Sequence, residues 1–209
     1  MIQMNPLARL VEKSLMLPGR QMKESQFELL HPRGGHILFL GDSITEGGAW
    51  QEWFPKQQVL NRGIGSDTSA GVLNRLEVAL RGDPSKVFLL IGTNDLGLGV
   101  GRETVLQNVS RIVDRIVGHT TATDLVLQSV MPRHARYASR IRALNASYRE
   151  LADDAGATFL DLWPTLSDNR GGLLEQFTRD NLHLNGAGYE AWVSVLSPLI
   201  VRREENISG

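Results

Sequence analysis

The chain is predicted to adopt an α/β fold, a five-stranded parallel sheet sandwiched between two layers of helices, and three features of the sequence support this. Short apolar runs alternate with longer amphipathic segments, as expected where crossover helices cover both faces of a parallel sheet. The 209 residues, 42% of them hydrophobic, are enough for one well-buried core and too few for two complete domains. No repeat, low-complexity tract or linker divides the sequence.

Taken in order, the strands are expected at "HILFL" (36–40), "QVLNRG" (58–63), "KVFLLIG" (86–92), "DLVLQSV" (124–130) and "TFLDLW" (158–163). Helices are expected at 69–81, 102–118, 138–156 and 186–203. In the second of these Val105, Val109, Ile112, Val113 and Ile116 recur at helical spacing and should face the sheet, and Gly118 suits the stop. Residues 5–30 read as one amphipathic helix interrupted at Pro18 and Gly19. The chain therefore divides into an N-terminal helical extension, 1–35, packed on a domain of 36–209.

Composition excludes several classes of function. Lys and Arg number 22 against 23 Asp and Glu, a net charge of −1 with the basic residues scattered, so no strong field draws in nucleic acid or an anionic membrane. The absence of cysteine removes disulfides, thiolate metal sites and a cysteine nucleophile together. The N-terminus lacks the charged region, apolar run and cleavage site of a leader, and no stretch reaches the ~18–20 apolar residues of a membrane span. A cytoplasmic protein acting on a small molecule is expected; a homodimer is compatible with this.

Open sheets bind ligands outside the carboxyl ends of their strands. There the sequence places Asp42-Ser43, Ile64-Gly65-Ser66-Asp67, Thr93-Asn94-Asp95 and Pro132-Arg133-His134, with Asp180 and His183 ahead of the last helix. A serine hydroxyl needs a base to take its proton as it attacks. Of the five histidines, His31 and His36 precede the first strand and His119 follows a helix, which suggests surface or edge positions. His134, in a rim loop, is a weaker rival to His183, which has Asp180 three residues before it. On a helical turn or tight loop that spacing lets Asp180 hold one imidazole nitrogen while the other faces Ser43. Attack on an ester also requires donors aimed at the developing oxyanion. The backbone N–H groups of Ser43 and Ser66 and the amide of Asn94 come from three successive strand ends.

The segments "GDS" (41–43), "GIGSDT" (63–68), "GTND" (92–95) and "DNLH" (180–183) resemble, in order, the four signature blocks of the SGNH (GDSL) hydrolase family. "LNRGIGSDTSAGVLNRL" and "LHLNGAGY" give a particular likeness to bacterial relatives of the platelet-activating-factor acetylhydrolase catalytic subunits. The resemblance implies a flavodoxin-like sheet, no metal or other cofactor, and ester hydrolysis through an acyl-serine. It implies Ser43 as nucleophile, His183 as base and acid, Asp180 as its orienting partner, and Asn94 with a second-block residue as oxyanion donors. Transfer of the acyl group to a sugar or other alcohol is the alternative outcome of the same chemistry. The family usually has glycine where this chain has Ser66; a serine N–H serves if its backbone geometry is allowed, and Gly65 is the fallback donor.

Four further features carry weaker signals. Asp42, Asp67 and Asp95 suit a structural role, holding nearby N–H groups. "LGLGVG" (96–101) lacks the spacing and lysine of a phosphate loop and reads as a mobile rim loop whose Leu96, Leu98 and Val100 could touch an acyl chain. Arg133, Arg136, Arg140 and Arg142 more often form a solvated face, and Arg133 is the candidate substrate contact among them. Trp50, Trp53 and Phe54 read as core.

Overall fold

A computed structural model describes residues 17–120 and 122–201. Five strands, Ile37–Gly41 (β1), Val59–Gly63 (β2), Lys86–Leu90 (β3), Asp124–Gln128 (β4) and Thr158–Leu160 (β5), pair in parallel in the order β2-β1-β3-β4-β5. The helices are Leu17–Leu29 (α1), Ser43–Glu46 (α2), Trp50–Trp53 (α3), Ser69–Asn74 (α4), Leu76–Ala79 (α5), Thr93–Leu98 (α6), Arg102–Val117 (α7), Ala138–Asp154 (α8), Trp163–Leu166 (α9) and Gly186–Val201 (α10).

Side chains alternate across each strand, so consecutive apolar residues feed two cores. Leu38, Leu40, Val87, Leu89, Leu125 and Leu127 share one core with α4, α5, α7 and α8. Ile37, Phe39, Phe88, Leu90 and Val126 share the other with α2, α3, α9 and α10. The α7 stripe Val105, Val109, Ile112, Val113, Ile116 is fully buried, as its spacing predicts. Each such residue contributes about 1.5–3 kcal/mol relative to an exposed position. On the second face Phe39 stacks on Trp50 at 4.0 Å and on Phe88 at 4.9 Å. Trp50 and Phe54 are core, whereas Trp53 is exposed.

Several elements differ from the sequence expectation. The single helix expected over 69–81 breaks at Arg75 (φ −103, ψ 10), whose guanidinium turns inward to Asp67 Oδ2 (2.8 Å) and Gly41 O (3.0 Å). The fifth strand stops at Leu160, because the Leu162 N–H is taken by Ser129 Oγ and Trp163 opens α9 with Pro164 beside it. Pro18 and Gly19 lie near the start of α1 as described; the earlier part of the expected helix, 5–16, falls outside the described residues, and the expected interruption with it. His36 is fully buried, with Nδ1 on Arg33 O at 2.9 Å, so it is not the surface residue its position suggested. Nor is 96–101 an open rim loop. Leu96 is buried, Val100 packs on the core, and Gly99 closes α6 in a left-handed cap, leaving Leu98 as the one exposed apolar side chain of the three.

In the register, Gly41 lies opposite Gly63 on one side and Leu90 on the other. The segments that follow β1, β2 and β3 therefore leave the sheet at one level, on one rim.

Candidate active site

At the end of β1 the chain must turn at once into α2. Gly41 permits it: a Cβ there would collide with Leu90 O and the Thr45 side chain. Asp42 caps α2, its Oδ1 accepting from the Ile44 N–H at 3.0 Å. Ser43 is thus the first helical residue, and its N–H has no intrahelical acceptor. Asp42 is buried, and burial, opposed by the Ile44 bond and reinforced by Asp67 and Asp95, raises its carboxyl to about 7.

Ser43 Oγ lies 3.0 Å from His183 Nε2, joining positions 140 residues apart, and His183 Nδ1 lies 2.6 Å from Asp180 Oδ2. The carboxylate and ring are brought together by a tight loop with Asn181 in a left-handed conformation (φ 59). Asp180 Oδ1 accepts from the N–H groups of Leu182 (3.0 Å) and His183 (2.8 Å) and from Thr178 Oγ1 (3.2 Å). Desolvation works to raise the Asp180 carboxyl, but the bonds from the His183 ring and the two N–H groups outweigh it and hold it at about 2. It therefore stays ionised through the neutral pH range. His134 instead accepts from the Arg136 N–H at its own turn, and His119 pairs with Asp83.

The expected oxyanion residues follow β2 and β3 on the same rim as the serine. One Asn94 Nδ2 hydrogen is donated to Asp67 O at 2.8 Å, which fixes the amide; the second has no acceptor among the described residues. Ser66 adopts φ 62, the left-handed region that glycine occupies without strain. The Gly65 N–H is already donated to Glu46 Oε2 at 2.7 Å. Asp67 and Asp95 act as braces: Asp67 holds the Thr68 N–H and Arg75, and Asp95 holds Ser69 through both its N–H and its hydroxyl. Arg133 Nη1 donates to Thr93 O at 3.0 Å, next to Asn94, and its guanidinium lies over the Tyr137 ring at 4.3 Å. Burial lowers its pKa.

A cleft of about 360 Å³ between α8 and the β5–α9 segment, lined by Arg142, Arg149, Phe159, Asp161 and Trp163 among others, contains no nucleophile with a base. The bonded Ser43, His183 and Asp180 mark the place for chemistry better than volume does.

Residues 39–191 match the GDSL-like lipase/acylhydrolase family. The chain belongs to that family. As a GDSL-like acylhydrolase it is a carboxylic ester hydrolase. Platelet-activating factor acetylhydrolase IB subunit alpha1 of Homo sapiens is 29% identical over 180 residues, covering 79% of this chain and 75% of that protein. A solved structure from Streptococcus pneumonia superposes with a TM-score of 0.86 at 29% identity, over 94% of this chain and all of that one. A GDSL-like lipase from Bacteroides thetaiotaomicron shares the fold (TM-score 0.74, 23% identity, 88% and 96% coverage). All four sequence blocks fall within the matched span, and α1 precedes it. No helix of the described residues is long and apolar enough to cross a membrane.

Sequence reading missed the residues that brace this candidate site: Glu46, Arg75, and Arg20 and Lys23 of α1. Only Glu46, one helical turn after Ser43, had a local signal.

Proposed function

We propose that this acylhydrolase cleaves esters of small or medium acyl groups through an acyl-serine intermediate, with Ser43, His183 and Asp180 as the triad. The observation that carries this is the unbroken chain from Ser43 Oγ through His183 (3.0 Å, then 2.6 Å) to Asp180. Ser43 Oγ attacks the ester carbonyl while His183 Nε2 takes its proton, and Asp180 holds the Nδ1–H tautomer and balances the imidazolium. The oxyanion is met by the N–H groups of Ser43 and Ser66 and the second hydrogen of Asn94. Ser66 is preferred to Gly65 because the Gly65 N–H is committed to Glu46. His183 then protonates the departing alcohol, and a water activated by the same imidazole hydrolyses the acyl-serine.

Short acyl groups are favoured because the 29%-identical curated relatives are named for removing an acetyl group. Hydrolysis is favoured over transfer to an alcohol because the His183 and Asp180 side chains are 49% and 53% exposed, and water reaches an acyl-serine at such a site freely. Arg133 is the proposed substrate contact. Arg133, bonded to Thr93 beside Asn94, forms no ion pair among the described residues, so it favours an ester that also bears an anionic group.

Steady-state hydrolysis of p-nitrophenyl esters from acetate upward tests the reading. Activity should peak at short or medium chains, and Ser43→Ala or His183→Ala should lower kcat by roughly 10⁴- to 10⁶-fold. A folded Ser43→Ala protein that loses less than tenfold would sink the assignment. Arg133→Gln should lower kcat/KM for p-nitrophenyl hydrogen glutarate by about tenfold while sparing the pentanoate ester; equal losses on both would remove Arg133 from substrate binding.

A further inference from the structure

Helix α1 carries two cations three residues apart, hence on one face. Arg20 Nη1 lies 3.2 Å from Asp67 Oδ1, while its Nε is held at 2.9 Å by Glu24 one turn on. Lys23 Nζ lies 3.2 Å from Glu46 Oε1. Neither acceptor is an ordinary surface carboxylate. The Asp67 side chain is fully buried, its other oxygen takes Arg75 Nε, and its main-chain carbonyl orients the Asn94 amide. The other Glu46 oxygen takes the Gly65 N–H. Arg20 thus holds Asp67 directly and Lys23 reaches Gly65 through Glu46, the residues on either side of Ser66. Gly71 makes room for this: a Cβ there would fall on Asp67 Oδ1 and within 2.7 Å of Arg20 Nη2.

We propose that α1 is a working part of the site, with Arg20 and Lys23 as positioning residues that hold the Gly65–Asp67 loop so that Ser66 and Asn94 face the oxyanion. The proposal rests on the esterase reading above. Substrate does not touch α1 in this scheme, so its loss should act on the transition state and leave ground-state binding alone. Donor placement matters at the sub-ångström level, since a displacement of about 1 Å can cost on the order of 10²-fold in rate. The more buried of the two cations, Arg20 (23% exposed against 39% for Lys23), should matter more.

The test is kcat and KM for p-nitrophenyl acetate, with melting temperature, for Arg20→Gln, Arg20→Lys, Lys23→Gln and the exposed-face control Met22→Ala. Arg20→Gln should lower kcat about five- to thirtyfold with KM within about twofold. Arg20→Lys should recover most of that loss, and Met22→Ala should match the parent. The Arg20→Gln effect should shrink in an Asn94→Ala background, where one of the donors it positions is already gone; a purely structural contribution would keep its full size there. A kcat within about threefold of the parent, whatever happens to the melting temperature, or a loss carried by KM, overturns the proposal. If Arg20→Gln does not fold, Lys23→Gln decides by the same threshold. Ser43→Ala, run in parallel, separates the two failures: retained activity there defeats the esterase reading itself, whereas its loss beside an unaffected Arg20→Gln defeats only the role of α1.

Discussion

Ser66→Gly separates what the Ser66 backbone does from what its side chain does. The residue sits at φ 62, where an L-residue is disfavoured by about 1–2 kcal/mol and glycine is not. Glycine returns about 0.4–1 kcal/mol of that through the extra freedom of its unfolded chain. The net gain is about 0–1.6 kcal/mol, up to roughly 6 °C in melting temperature for a chain of this size. The proposed donor is the main-chain N–H, which the substitution keeps, so kcat on p-nitrophenyl acetate should stay within about threefold of the parent. Ser66→Ala completes the pair: it removes the hydroxyl but keeps the left-handed backbone and its N–H, and should leave turnover near the parent. Differential scanning calorimetry and steady-state kinetics on the three proteins decide the matter. A loss of tenfold or more in both variants, with the fold intact, would mean that the hydroxyl carries the function; a lower melting temperature for Ser66→Gly would mean that the left-handed backbone is not strained.

Two other outcomes are expected. Asn94→Ala should lower kcat by roughly 10²- to 10³-fold with KM nearly unchanged, and a change confined to KM would show that the amide binds ground-state substrate instead. Asp42→Asn should abolish a pH dependence of stability. Between the ordinary 3.8 and about 7 the folded protein holds a proton on Asp42 that the unfolded chain has released, so native stability falls as pH rises through that window. The asparagine variant has no such proton to lose and should gain on the parent by up to the order of 4 kcal/mol above pH 7, with no gain near pH 4. Melting curves that differ by a constant across this range would contradict a neutral, buried Asp42.

The strands, the layering and the candidate site residues were legible in the sequence, because each is written in local pattern. Five apolar runs separated by amphipathic segments specify a parallel sheet, and Ser43, Asn94, Asp180 and His183 sit in short blocks whose order and chemistry can be read without coordinates. The α7 stripe was readable for the same reason, since helical periodicity depends only on neighbours along the chain. Tertiary structure decided what depends on residues meeting through space. It brought His183 within 3.0 Å of a serine 140 positions away. It committed the Gly65 N–H to Glu46. It broke the helix at Arg75 to reach Asp67, and it set Arg20 of α1 against that same buried carboxylate. No spacing rule links positions 20, 46, 67 and 75, because their contacts follow from how the sheet twists and the helices settle on it, and a long side chain reaches a partner only once both backbones are fixed.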